Sequence, residues 1–380
     1  MNVGEAREKI DGIDEKLVAL FRERMELAKD IALLKKEEGG VPFDKSRERA
    51  VLNHVEDLAG KELETYAQVL YRTMFDVSRS YQTQSAGTKS PLRSAIQTAI
   101  EKTPAVFPRR ALVACQGVEG AFSQSACDML FSNPNIMYFN HFNGVFQAVE
   151  SGLCQYGVLP IENSTAGSVN EVYDLMKKHR FHIVRGVKLR VVHYLLAKPG
   201  TKLEDVREIY SKDIALEQCS QFLGSLKNVK LTPCINTAAA AKMVAESERT
   251  DVAAVSSRSC KELYALSSLA DGIQDNDNNY TRFICISKDL EIYPGADKIS
   301  LMFSIPHRPG SLYSVISRFS ALGLNLTKLE SRPIPGRDFE FMFYFDLNAN
   351  IMDEHVLNLI CAFDDEFEQF TYLGSYSEVI

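Results

Sequence analysis

The chain has 380 residues, 45% of them hydrophobic and 24% charged, with a formal net charge of −7. That length exceeds one ordinary core and implies two or three domains, and the acidic balance excludes a general nucleic-acid binder, because no basic excess is available to neutralise phosphates. No apolar run is long enough to span a bilayer, and the opening MNVGEAREKIDG lacks the apolar centre of a signal peptide, so a cytoplasmic protein with no membrane partner is expected. The eight cysteines include no CxxC pair and the seven histidines no HxxxH or HExxH, so reduced thiols and no metal are expected.

Residues 1–84 read as entirely helical. Ile10, Ile13, Leu17, Leu20, Leu27, Ile31 and Leu34 form one apolar stripe on a long first helix that ends at Gly39-Gly40 with Pro42 beyond. A second helix is expected from near Asp44, and a third from about Glu62 to Gln84 with Leu63, Tyr66, Leu70 and Val77 on its buried face. A first helix of about 35 residues is roughly 50 Å long, more than two shorter helices cover, which predicts an intertwined dimer. Residues 85–108 mix Ser, Thr, Gly and Pro with one short helical patch and read as a linker.

From 109 to 288 the pattern changes. ALVACQG, YGVLPIEN, VHYLLAK, EIYSK, DVAAVSS and RFICIS are short β-leaning runs separated by helical stretches, the alternation of an α/β domain long enough for two lobes with a cleft between them. Residues 298–380 read strand, helix, strand, strand, helix, strand: the α+β, ferredoxin-like βαββαβ order.

Particular residues carry chemistry in each region. On the first helix Arg24 and Lys35 are eleven residues apart and lie within about 20° of each other in azimuth, whereas Arg7 is about 25 Å from Arg24 and about 100° around the axis. If all three serve one ligand, Arg7 serves a site completed by a partner subunit. Asp44, Arg47 and Glu48 share one side of the second helix, and Ser78 and Gln82 one side of the third; each set alone also describes a solvated helix face. Together these eight residues, in this order and spacing, resemble the all-helical chorismate mutase family over residues 1–84. The resemblance implies a substrate, chorismate, that rearranges to prephenate with no nucleophile or proton transfer, so the protein must hold a compact conformer and stabilise charge developing on the breaking ether oxygen. In the family's pattern the partner's Arg7 and this chain's Arg24 grip carboxylates, Lys35 and Gln82 address the ether oxygen, Arg47 and Ser78 support binding, and Asp44 and Glu48 meet the ring hydroxyl or orient the basic residues.

The middle region carries GVEGAFS (117–123), LPIENSTAGSVNEVYDL (159–175), YSKDIALEQCSQFL (210–223) and YTRF (280–283), with a Val-Ser-Ser and a Glu-Leu-Tyr before the last. Any one could be an ordinary turn or cap loop; in this order they resemble prephenate dehydratase, which implies a two-lobed fold of periplasmic-binding-protein type. Prephenate loses its ring carboxylate as CO2 and its ring hydroxyl as water. Thr281 is then expected to donate a hydrogen bond to the departing hydroxyl, with Asn163, Ser164, Ser211 and Gln218 around the substrate and Arg282 steadying a carboxylate or the loop. Val118 and Ala121 replace the family's usual proline and threonine in the glycine loop, and Lys212-Asp213 stands where a His-Pro is common; both departures bear on prephenate affinity.

RPGSLYSVISRF (308–319) and LNLTKLESRP (324–333) resemble the ACT regulatory domain. The resemblance implies phenylalanine as effector, with its carboxylate at the backbone N–H groups of Gly310, Ser311 and Leu312 and the pocket completed by Asn325, Glu330, Ser331, Arg332 and Pro333 between two such domains. The whole reads as two consecutive enzymes of phenylalanine biosynthesis, an isomerase and a carbon–oxygen lyase, with a feedback sensor, no cofactor, and a dimer or tetramer as the assembly. A mutase joined to a prephenate dehydrogenase would need a nicotinamide site, and no GxGxxG followed by an acidic residue is present. A metabolite-sensing regulator with an inactive dehydratase-like domain is the alternative of another class, and it has no need of Thr281 or of the eight mutase residues.

Overall fold

The computed structural model describes residues 2–37, 45–86, 90–334, 336 and 340–380. Its contacts divide the chain into two compact units, one of residues 1–95 with 301–372 and the other of 96–300 with 373–380.

The first unit opens with α1 (Val3–Glu37) and α2 (Lys45–Ala86). The expected boundary residues Gly39, Gly40, Pro42 and Asp44 lie outside the described residues. α2 breaks at Gly60, whose φ of 71° and ψ of 165° are open to glycine and strained for any other residue. Its halves are the expected second and third helices. Gln68 bonds Glu56 and Arg79 bonds Glu48, so one residue number falls as the other rises and the halves run antiparallel.

Met25, Leu52, Val55 and Phe75 are buried between these helices. The α1 stripe is not: Ile10, Ile13, Leu17, Leu20, Leu27, Ile31 and Leu34 are each more than half exposed. Leu63, Tyr66 and Leu70, expected on a buried face, are exposed as well, because one copy of so long a hairpin supplies too few neighbours to cover them. The expected linker contains a twelve-residue helix, Pro91–Lys102, with Ile96 and Ala99 buried. Ser90 caps it by accepting from Arg93 N at 3.1 Å, and Pro91 occupies the first helical position, where a missing N–H costs nothing.

In the second unit, β1 (Leu112–Gln116), β2 (Asn135–Phe139), β3 (Tyr156–Asn163), β4 (Gly167–Ser168) and β5 (His182–Arg190) build one lobe. β6 (Tyr194–Ala197), β7 (Glu208–Ser211), β8 (Lys230–Pro233), β9 (Val252–Ser256) and β10 (Ser267–Asp271) build the other, in the order β10-β6-β9-β7-β8. β11 (Tyr280–Ser287) returns to the first sheet between β3 and β5. β1, β3, β6, β9 and the second half of β11 are buried in unbroken runs, as strands covered on both faces are.

The chain crosses between lobes twice, at 191–193 and 272–279, and the crossings are bonded together. Val191 N donates to Asn279 O at 2.8 Å, Ile273 N to His193 O at 3.0 Å, and His193 N to Gln274 Oε1 at 3.0 Å. The glycine loop makes a third connection. Ser257 Oγ donates to Gly120 O at 2.9 Å and Tyr264 OH to Glu119 O at 3.3 Å, while a Cβ on Gly120 would stand 2.7 Å from Cys260 Sγ. Ala121 and Val118 pack with Leu196, Ala238 and Cys260 of the second lobe, so these departures from the family pattern build the contact between lobes.

β12 (Lys298–Ser304), the helix Ser311–Ala321, β13 (Asn325–Pro333), β14 (Phe341–Asn348), the helix Glu354–Glu366 and β15 (Thr371–Tyr376) follow in the βαββαβ order, with sheet order β13-β14-β12-β15. The C-terminal domain, expected to run to residue 380, gives up its end. Residues 373–380 belong to the second unit, and β16 (Glu378–Val379) pairs in parallel with Gly186 and Val187 of β5. Among the described residues no helix is long and apolar enough to cross a membrane.

Candidate active sites

Apart from Asp44, the helical hairpin carries the expected mutase residues on α1 and on both halves of α2. Arg24 is half-buried on α1 with its guanidinium 5.6 Å from the centre of the Phe75 ring, and its buried Nη1 has no hydrogen-bond partner among the described residues. A buried guanidinium N–H left unpaired is costly, and such a group suits an anionic ligand. Gln82 Nε2 donates to Ala28 O at 2.9 Å, which fixes its amide against α1, and Ser78 is buried four residues before it. Lys35 is half-buried on α1, Arg47 is exposed, and Glu48 is paired with Arg79. Arg7 is exposed near the far end of α1, where nothing in the same chain brings it to Arg24. Asp44 lies outside the described residues.

In the second unit, β11 and β3 are antiparallel and place Thr281 opposite Asn163. Asn163 Nδ2 donates to Thr281 Oγ1 at 2.9 Å and to Asn279 Oδ1 at 2.8 Å, while Asn163 Oδ1 accepts from Thr165 N at 3.0 Å, Ala166 N at 2.8 Å and Gln218 Nε2 at 3.3 Å. Gln218 Oε1 in turn accepts from Asn279 Nδ2 at 3.1 Å and faces His193 Nε2 at 3.0 Å. An amide oxygen only accepts, so the His193 proton sits on Nε2. Burial lowers the pKa of His193 and keeps the ring neutral; the bond to Gln218 pulls weakly the other way.

This chain of bonds has a direction. Each amide donates onward, from His193 through Gln218 and Asn163, and the last donation enters the Thr281 oxygen. The hydroxyl hydrogen of Thr281 is thereby turned away from Asn163 and free to donate outward, and a hydroxyl that is itself accepting donates more strongly. A cavity of about 340 Å³ opens between the lobes, lined by Thr165, Ala166, Glu217, Gln218, Asp275 and Asn279 among others. Thr281 is not in its lining; Gln218 and Asn279 belong to both cavity and chain.

Ser164 closes the turn after β3, donating to Asn278 O and accepting from Tyr280 N, each at 2.9 Å. Two expected substrate contacts are elsewhere. Ser211 is fully buried with its hydroxyl donated to Val255 O at 2.6 Å, a bond that joins β7 to β9. Arg282 follows Thr281 and therefore points to the opposite face of the sheet, where its Nε donates to Glu378 Oε1 and its Nη2 to the Tyr376 hydroxyl, both at 2.7 Å. His193 and Asn279 were not expected. The one signal for His193 is a polar ring inside the apolar run VVHYLLA.

In the C-terminal domain Gly310 takes a φ of 83° just before the helix Ser311–Ala321, whose open end carries the Leu312 N–H, while the Ser311 N–H donates to Arg308 O at 3.2 Å. This helix touches β13, the edge strand on which Asn325, Glu330, Ser331, Arg332 and Pro333 lie with alternate residues exposed.

Known proteins match these regions. Residues 6–83 match the chorismate mutase type II family and residues 113–291 the prephenate dehydratase family. The arogenate dehydratase/prephenate dehydratase 2 of Arabidopsis thaliana is 38% identical over 70% of this chain and 73% of its own length. A prephenate dehydratase from Arthrobacter aurescens, solved in complex with L-Phe, superposes with a TM-score of 0.65 at 27% identity, covering 70% of this chain and 89% of that one. The bifunctional chorismate mutase/prephenate dehydratase of Stutzerimonas stutzeri is 31% identical over 98% of this chain and 97% of its own length. With both domains matched in one polypeptide and a relative aligned from end to end, the chain belongs to the bifunctional chorismate mutase/prephenate dehydratase family and is an enzyme with both activities.

Proposed function

We propose that the two reactions run at separate sites, the first in the helical hairpin of a homodimer and the second at Thr281, and that phenylalanine bound by the C-terminal domain restrains them. The observation that carries the dehydratase site is the accepted hydrogen bond from Asn163 at 2.9 Å, which leaves the Thr281 hydroxyl hydrogen to be given to the substrate's departing hydroxyl. A threonine hydroxyl is too weak an acid to transfer its proton outright at neutral pH, so it acts by polarising the leaving oxygen while the gain of an aromatic ring drives the loss of CO2. Gln218 and Asn279 hold Asn163 in place and face the cavity as neutral donors and acceptors.

In the hairpin, Arg24 takes one substrate carboxylate and Lys35 and Gln82 the ether oxygen. Arg47 and Ser78 support binding, Asp44 and Glu48 meet the ring hydroxyl or orient the basic residues, and Arg7 reaches the pocket from a second copy. The exposed α1 stripe supports that second copy, since seven aliphatic side chains in one line are more apolar surface than a lone helix leaves in water. The L-Phe complex of the Arthrobacter relative supports phenylalanine as effector. All eight cysteines are free, seven of them buried, which suits a reducing compartment and supports a cytoplasmic enzyme.

The test is to supply chorismate to the purified chain in chelator without nucleotide and follow phenylpyruvate. The wild type is expected to form it. Thr281→Ala is expected to accumulate prephenate with dehydratase kcat down by about 10²–10⁴-fold, and Lys35→Ala to convert prephenate normally but leave chorismate unused. Phenylpyruvate formed at a normal rate by Thr281→Ala removes Thr281 from the mechanism. The same assay with arogenate in place of prephenate separates the two substrates named among the relatives.

A further inference from the structure

In the first unit a line of side chains leads from the C-terminal domain to the mutase site. Asp76, on the second half of α2, is only 4% exposed, and a carboxylate so buried requires partners. It has two. Arg79 Nη2 donates to its Oδ1, and so does the Ser314 hydroxyl, at 2.8 Å. The second arm of the same guanidinium, Nη1, pairs with Glu48 on the first half of α2. Arg79 thus forks between a carboxylate held in the protein interior and one in the mutase site, and its planar, pre-organised fork fixes both directions together.

Ser314 lies one turn beyond Ser311 on the helix that begins after Gly310, and the neighbouring Tyr313 hydroxyl meets Thr73 Oγ1 at 3.3 Å on α2. The helix whose open end is read as the effector's carboxylate site therefore rests on the stretch of α2 that carries Asp76.

We propose that Arg79, clamped by Asp76, is a positioning residue for Glu48 of the mutase site, and that the Ser314 hydroxyl ties this clamp to the effector helix. The proposal rests on the placement of Glu48 and of phenylalanine given above. Movement of the effector helix pulls on Asp76 through the Ser314 hydroxyl, the Arg79 fork follows, and the Glu48 carboxylate turns with it. Restraint of the mutase thus has a route that does not pass through the dehydratase.

The experiment uses the full chain. Arg79→Met is expected to lower mutase kcat about tenfold or more with a smaller change in KM, and to leave prephenate turnover unchanged; Arg79→Lys, which keeps charge without the fork, recovers part of the loss. In a Glu48→Gln background the same Arg79→Met change is expected to add less than twofold, because both substitutions remove one interaction. Asp76→Asn, which keeps the shape of the buried group, is expected to resemble Arg79→Met. Additive losses, or an Arg79→Met enzyme with normal mutase kcat, overturn the positioning role. Ser314→Ala is expected to keep mutase kcat within twofold without effector and to lose phenylalanine inhibition of the mutase, while inhibition of the dehydratase persists. Unchanged inhibition of both reactions in Ser314→Ala, or a wild-type mutase indifferent to phenylalanine that calorimetry shows to be bound, overturns the tie. A wild type that binds no phenylalanine, or does not rearrange chorismate, overturns the underlying reading instead.

Discussion

Asn163 serves Thr281 because one amide satisfies several partners at once and still has a donor directed at the hydroxyl. Behind it stands His193, neutral because burial penalises its charged form. The sign of the pH effect follows. The folded pKa lies below the unfolded value of about 6.5, so above that pH both states are neutral and His193 contributes nothing to the dependence. Below it the unfolded chain takes up a proton that the native state refuses, and stability falls with pH until the folded pKa is passed. The dehydratase unit is expected to melt at a lower temperature at pH 5.5 than at pH 7.5, and His193→Gln to reduce that difference; a wild type and variant with parallel Tm profiles would exclude His193 as a source. Thr281, Asn163, Ser164 and Gln218 were legible as types in quotable motifs. Ser211 and Arg282 have partners that the sequence did not show, because a motif names a residue without the face it takes, and strand alternation sends Arg282 to the side away from Thr281. His193 and Asn279 meet only where the two crossings pair, which no local pattern encodes.

α1 was legible as an element because its period of 3.6 persists over 35 residues. The burial of its stripe depends on a second copy. Leu17→Glu places a charge in the middle of that stripe, and it is expected to shift the assembly toward monomers in sedimentation and to cut mutase activity at least tenfold, with prephenate turnover retained per chain. A monomer with full mutase activity would show that Arg7 of a second copy is not needed. The helix at 91–102 was legible only as a short helical patch in a stretch read as linker, because Ser, Thr and Pro are turn residues and helix-start residues alike. Ser90 and Pro91 act in the second way. The break in α2 was legible for the opposite reason, since two helical stretches were visible and the glycine between them takes a backbone conformation that helices exclude.

For the whole molecule, the order of helical, two-lobed and ferredoxin-like regions was readable from the change of hydrophobic period along the chain. The last residues were not, since a two-residue strand has no period. Glu378 is paired with Arg282 at 2.7 Å and with Lys298 at 3.3 Å, all three side chains at most 19% exposed. Glu378→Gln leaves two cations without their carboxylate and is expected to cost on the order of 3 kcal/mol. The check is a lower Tm for the dehydratase transition and reduced prephenate turnover, with chorismate rearrangement unaffected; a silent Glu378→Gln would show that the tail is ornamental.

That tail also sets an order of assembly. The helical hairpin has all its residues early in synthesis, whereas β5 keeps an open edge until residues 378–379 arrive to pair with it. Every residue of the regulatory domain precedes them through the ribosome. The dehydratase sheet is therefore finished only after the regulatory domain has been made, and a chain still short of residues 378–379 can rearrange chorismate before it owns a completed second catalyst.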